Sequence, residues 1–160
     1  MDTFAHGFWS LVIFRKKKYV WLAVLFGILP DLLSFGILLL IRLISGAGLG
    51  RGPPPIESLP NWIFIAYDLT HSFVIFIVVF VLLYFITKKW LWFMMGWPIH
   101  ILIDIPTHSS RFFPTPFLWP ISKFTFDGMS WGTSWFMFLN YFCLVAVFLI
   151  MFIQRNKNKK

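Results

Sequence analysis

The sequence predicts an all-α, polytopic membrane helical bundle with about four transmembrane helices and a short half-depth or interfacial helix at its N-terminus. Composition is the first reason. Of 160 residues, 59% are hydrophobic, against only 14 Lys or Arg and 6 Asp or Glu, a balance that excludes both an ordinary soluble domain and a disordered chain. Aromatic content is the second: 21 Phe and 9 Trp supply more apolar surface than a small water-soluble core can hide. The third is that four apolar stretches approach the roughly 20 residues needed to cross a bilayer. The length leaves no room for two ordinary domains, so residues 1–160 read as a single transmembrane helical domain, with 154–160 as a basic cytoplasmic tail.

The elements follow in order. Phe4 to Phe14 is apolar but too short to span, which suits a half-depth helix. The basic run Arg15-Lys16-Lys17-Lys18 follows the apolar stretch instead of preceding it, the reverse of a secretory signal. The expected spans are Tyr19 to Leu43, Trp62 to Ile86, Trp90 to about Ile105, and Gly132 to Ile153. The third contains Pro98, and Pro106 follows it closely, so its ends are the least defined. Ser45 to Pro60, with Gly46, Gly48, Gly50, Pro53, Pro54 and Pro55, is a loop. His108 to Trp131 mixes Pro114, Pro116 and Pro120 with Phe112, Phe113, Phe117 and Trp119, which suits a loop lying against headgroups.

The net charge of +8 is distributed as orientation signals, with no basic groove for nucleic acid. With both termini cytoplasmic, ten basic residues lie inside: Arg15 to Lys18, Lys88, Lys89, Arg155, Lys157, Lys159 and Lys160. Four lie outside, at Arg42, Arg51, Arg111 and Lys123. That asymmetry obeys the positive-inside rule. Membrane lipid is thus the expected surrounding partner, and a multi-pass inner-membrane location the expected address. Cys143, alone in an apolar segment, says nothing about redox compartment.

Ionisable groups inside a membrane are costly and face one another, a cavity or a ligand. Asp31 interrupts the first span; Asp68 and His71 lie in the second; His100, Asp104 and His108 run through the third; His6 sits in the short helix. His100, Asp104 and His108 share one helix face if Pro106 does not end the helix first, and Asp68 and His71 share another. Counting helical rise from the cytoplasmic ends places His6 ~13 Å deep, His100 ~15 Å, Asp31 ~18 Å, Asp104 ~21 Å, His71 ~22 Å, and Asp68 and His108 ~27 Å. Imidazole and carboxylate at matched depth form a ligand set for a divalent metal, zinc foremost, and one or two ions fit. No Cys is near enough for a thiolate site. Competing roles stay open for individual residues. Asp31 can be a polar helix break beside Pro30, and His6 simply interfacial. Asp68 can orient His71, act as a general base, or charge a helix N-terminus. Asp2, Glu57 and Asp127 read as ordinary solvent-side charges.

The ordered set His6, Leu29-Pro30-Asp31, Thr70-His71-Ser72, His100-x3-Asp104 and the Phe126-Asp127-Gly128 region with Trp131 resembles the YdjM-like membrane-bound metal-dependent hydrolases. It is more distantly similar to zinc-dependent phospholipase C and the single-strand-specific zinc nucleases. The resemblance implies a principal metal on Asp31, His71, His100 and Asp104. It also implies a second ion at His6, bridged by Asp104, with His108 close by. Those soluble enzymes draw further His and Glu ligands from downstream, whereas this chain has no His after His108.

The expected activity is hydrolysis of a phosphoester or lipid-derived substrate by metal-activated water. Asp68 or Asp104 would take the proton, and Arg111 would contact phosphate. Two other classes use the same residues: a metal-ion or proton transporter, and a non-catalytic scaffold clamped by metal. The transporter needs a path through the cytoplasmic halves of the spans, which carry almost no polar residues.

Overall fold

The computed structural model describes residues 1–46 and 54–157. Gly48, Gly50, Arg51, Pro53, Lys159 and Lys160, all used in the sequence reading, lie outside the described residues. Every regular element among the described residues is helical.

The chain begins with α1 (Thr3–Phe14), whose N-terminus is capped by Asp2: its Oδ1 accepts from the Ala5 N–H at 3.1 Å. The same oxygen accepts from the Tyr141 hydroxyl at 2.8 Å. Asp2 therefore ties two helices together, which corrects its reading as a solvent-side charge. After the basic run, Tyr19 adopts a left-handed conformation (φ 65°) and reverses the chain.

The first long apolar helix, Val20–Ile44, comprises α2 (Val20–Asp31), a π-helical turn (Leu32–Gly36) and α3 (Ile37–Ile44). Pro30 inside α2 brings no N–H to the ladder, and the Ser34 hydroxyl bonds back to the Pro30 carbonyl at 2.9 Å. The helix widens there instead of stopping.

The expected second span is not one helix. It divides into α4 (Asn61–Thr70) and α5 (Phe73–Thr87), which meet at 63°. Side-chain bonds to the backbone win over helix continuation at Thr70-His71-Ser72. Thr70 Oγ1 bonds to the Ala66 carbonyl at 2.8 Å, and Ser72 turns extended (φ −110°, ψ 128°). The Ser72 hydroxyl then accepts from the Val74 and Ile75 N–H groups, starting a new helix.

The third expected span is a 3-10 turn (Trp92–Met95) continuing into α6 (Gly96–Thr107), only 12 residues long. α6 approaches α2 backbone to backbone. A Cβ on Gly96 would collide with the Ala23 carbonyl and stand 2.8 Å from the Gly27 nitrogen, so only glycine fits. With Pro106 in its last turn, α6 ends at Thr107 and His108 is extended. The aromatic loop then returns to this end. Gly128, Met129 and Trp131 donate their N–H groups to the carbonyls of His108, Pro106 and Thr107 at 2.8–3.0 Å, satisfying the open end of the helix.

The chain closes with α7 (Ser134–Lys157). It runs beside α1, with Tyr141 on Asp2 and Phe148 against Phe8 (6.0 Å between ring centres). Two helices, Val20–Ile44 and Ser134–Lys157, are long and apolar enough to cross a membrane, and α4 with α5 makes a third if that bent pair is one span. Only 6% of the apolar window of α7 is buried, so most of its surface is free to face lipid.

Phe14 lies against Trp92 at 5.6 Å, which brings the basic run at 15–18 and Lys88-Lys89 to one end of the bundle; α7, parallel to α1, carries Arg155 and Lys157 to the same end. Arg42, Arg111 and Lys123 lie toward the other end, with the aromatic loop.

Candidate metal centre

Local rules decide where each ligating atom points. His100 lies one turn beyond Gly96, where α6 is pressed on α2, and its Nδ1 meets the Gly27 carbonyl at 2.7 Å. A carbonyl only accepts, so Nδ1 carries the proton and Nε2 keeps its lone pair. At the α4–α5 break, His71 Nδ1 faces the Tyr67 carbonyl at 3.1 Å and Thr70 Oγ1 at 2.9 Å. Its Nε2 is thereby freed in the same way. The two Nε2 atoms lie 3.1 Å apart. Two lone pairs aimed at one point repel unless a cation lies between them.

Carboxylates complete the arrangement. Asp104 Oδ2 is 3.1 Å from His100 Nε2 and 3.6 Å from His71 Nε2. Asp31 Oδ1 is 3.6 Å from His71 Nε2 and 3.7 Å from His100 Nε2. Ligand atoms of Asp31, His71, His100 and Asp104 all lie within 4.8 Å of one another, so this group could hold a metal ion. A tetrahedral site with bonds of about 2.05 Å has edges of about 3.3 Å, close to the separations present. His71, His100 and Asp104 are fully buried, and the Asp31 side chain is 13% exposed.

Asp104 is the hub. Its Oδ1 faces away from the first group, toward His6 Nε2 at 2.9 Å and His108 Nδ1 at 3.4 Å, and the amino group of Met1 contacts it as well. Neither imidazole nitrogen is oriented as a hydrogen bond to it. His6 Nδ1 and Nε2, His108 Nδ1, Asp31 Oδ2 and Asp104 Oδ2 are all buried without a hydrogen-bond partner. Buried polar atoms are normally paired, and unpaired imidazole and carboxylate atoms sharing one space form a donor set suited to a divalent cation. Stacking fixes the rings: Tyr67 lies on His71 at 3.8 Å, and His6 lies on His100 at 3.7 Å.

A cavity of about 670 Å³ opens beside this cluster. Asp2, Asp31, Tyr67 and His108 line it together with the aromatic side chains of Phe35, Phe112, Phe113 and Trp131. The aromatic loop thus encloses the approach to the metal group. At the opposite end the bundle is filled by Phe76, Phe80 and Met94.

Two residues expected at the reaction centre stand apart. Asp68 is half-buried and lines a separate cavity of about 320 Å³ with Trp119 and Lys123. Asp68 and His71 lie within one turn at the end of α4, where the His71 N–H still bonds to the Tyr67 carbonyl, but Asp68 is not among the residues that share the ligand space or line the large cavity. Arg111 is exposed and does not line the large cavity. Asp127, also exposed, accepts from the Ser110 N–H at 2.7 Å; that bond, aided by Arg111, holds its carboxyl below the usual carboxylate range.

Several contributors escaped sequence reasoning. Tyr67 carried a weak signal, lying within one turn of His71, and Thr70 was named only as part of a motif and not for its bond to the His71 ring. The Gly27 carbonyl carried none, because every residue offers one. No family model, curated protein or solved structure compared with this chain matches it.

Proposed function

We propose that this chain is a membrane-embedded, metal-dependent hydrolase acting on a phosphoester or lipid-derived substrate, as its motif resemblance to the YdjM-like hydrolases implies. The observation that carries the reading is the tetrahedron-sized array of His71 Nε2, His100 Nε2, Asp31 Oδ1 and Asp104 Oδ2 beside a cavity. Zinc is the first candidate, because two imidazoles and two carboxylates offer the N and O donors it accepts. His6, His108 and Asp104 Oδ1 would hold a second ion. A divalent cation there supplies Lewis-acid polarisation of a phosphoryl oxygen and lowers the pKa of a water near it.

The chain's own residues do the rest. Asp31 Oδ2, beside the cavity and unpartnered, accepts a proton from the attacking water. Asp31 returns that proton to the departing alkoxide, while His108, which lines the same cavity, stays a ligand of the second ion. The aromatic walls exclude bulk water and seat an apolar tail. Asp68 and Arg111, standing away from the cavity, are left out of this scheme.

The proposal includes four crossings with both termini cytoplasmic. Trp92 to Thr107, as a 3-10 turn plus an α-helix, reaches about 26 Å, near the ~30 Å hydrocarbon thickness. Among the described residues, eight basic residues belong to the end opposite the cavity and three to the cavity end, an asymmetry that by the positive-inside rule supports a cavity facing outward. The Phe76, Phe80 and Met94 plug favours an enzyme over a transporter, since a transport path must pass the inner end. The test is turnover of short-chain phospholipids and generic phosphodiesters by detergent-purified protein. Activity that chelator abolishes and divalent metal restores supports the reading; no turnover, together with no bound metal, overturns it.

A further inference from the structure

The cavity beside the metal group carries chemistry that hydrolysis alone does not require. Asp2 stands on its wall with Oδ1 committed to the Ala5 N–H and the Tyr141 hydroxyl, while Oδ2 is buried without any partner. Asp31 Oδ2, on the same cavity, is likewise unpartnered. The Met1 amino group, which lines the same cavity, is engaged by Asp104 and by Thr107 Oγ1 at 3.2 Å. Phe35, Phe112 and Trp131 line the same cavity as these two carboxylates. Buried carboxylate oxygens without donors are costly, and carboxylates combined with aromatic rings are the surroundings that receive organic cations. A bare metal ion would gain nothing from the rings.

We infer that this cavity binds an amphiphile whose polar end carries an ammonium group, with Asp2 as the residue that recognises it. The inference rests on the hydrolase reading only in taking this amphiphile as the substrate class; the binding itself needs no turnover. Geometry accommodates both ends of such a molecule. The ammonium lies at Asp2, the group next to it reaches Asp31 and His108, and the apolar tail lies along the aromatic side chains of the same cavity.

Asp2→Asn is the informative variant. Asn caps helices as well as Asp does, and its amide oxygen can still accept from Ala5 and Tyr141, so the fold is kept while the charge is removed. Equilibrium binding of an alkylammonium and an alkyl sulfate of equal chain length is measured to the full chain in neutral alkyl maltoside. Wild type binds the alkylammonium the more tightly, and Asp2→Asn weakens that binding by about tenfold while the alkyl sulfate changes little. Trp131→Ala weakens the alkylammonium as well, and metal content by elemental analysis stays at the wild-type level in both variants. Equal affinity for the two probes, or an Asp2→Asn protein indistinguishable from wild type, overturns the inference. A protein that keeps the ammonium preference but hydrolyses no phosphoester would overturn the hydrolase reading and leave this one standing.

Discussion

Replacing Asp104 with Asn isolates the role of the hub. The change preserves shape and removes one charge from a side chain that is fully buried and faces two groups of imidazoles through its two oxygens. Four-ligand zinc sites bind with an apparent 10–16 kcal/mol, or about 3 kcal/mol per ligand. A neutral amide oxygen recovers little of that, so metal affinity should fall about 100-fold. Linkage converts this into stability. At a free metal concentration about 100 times the wild-type Kd, bound metal stabilises wild type by about 2.7 kcal/mol and the variant by only about 0.4 kcal/mol. The assay is unfolding in mild detergent, with chelator and across a series of divalent-metal concentrations. In chelator the difference between the two proteins reflects only lost ionic contacts and stays constant, while added metal opens a further gap of about 2 kcal/mol. A wild type indifferent to metal, or a variant responding equally to it, would refute the reasoning and leave Asp104 a plain ion-pair partner.

Gly96→Ala should destabilise the bundle by about 1–3 kcal/mol or more, because the new Cβ meets the Ala23 carbonyl and no side chain can yield; thermal unfolding reads this, and metal affinity falls with it as His100 leaves Gly27. His6→Ala and His108→Ala should reduce bound metal without abolishing it, whereas His71→Ala should remove the principal ion; elemental analysis separates the cases. Asp127 should anchor the aromatic loop through its bond to the Ser110 N–H. Because its carboxyl is held below the usual range, that contribution is complete above the ordinary carboxylate value and is lost as pH falls through the lowered one. Protection of the Ser110 amide, its exchange rate relative to an unfolded chain at the same pH, should therefore fall in acid, and Asp127→Asn should show the lower protection above that range and match wild type below it.

Much of the site was readable before the fold, because depth along a helix follows from residue count alone. Asp31, His71, His100 and Asp104 were expected at comparable depth, and they are the four whose ligand atoms share one space. What counting cannot supply is rotation and local competition. The polar run Asp68 to Ser72 was legible as ionisable chemistry inside an apolar span, but not as a break in which Thr70 and Ser72 bond to the backbone and split the helix. At that break His71 Nδ1 faces the Tyr67 carbonyl and Thr70 Oγ1, which leaves Nε2 for the cluster. Asp2 was misread because a charge near a chain end ordinarily meets solvent, whereas here Tyr141 from the last helix reaches it. The backbone contact of Gly96 with Ala23 was equally hidden, since a glycine in an apolar helix does not reveal which neighbour it admits.

The central claim is that His71, His100, Asp31 and Asp104 grip a divalent cation together. Elemental analysis of detergent-purified wild type and His100→Ala tests it most directly. The account predicts at least one equivalent of divalent metal per wild-type chain, resistant to dialysis and missing from a folded His100→Ala protein. Wild type that carries no metal above buffer level, or metal retained undiminished without His100, would contradict it.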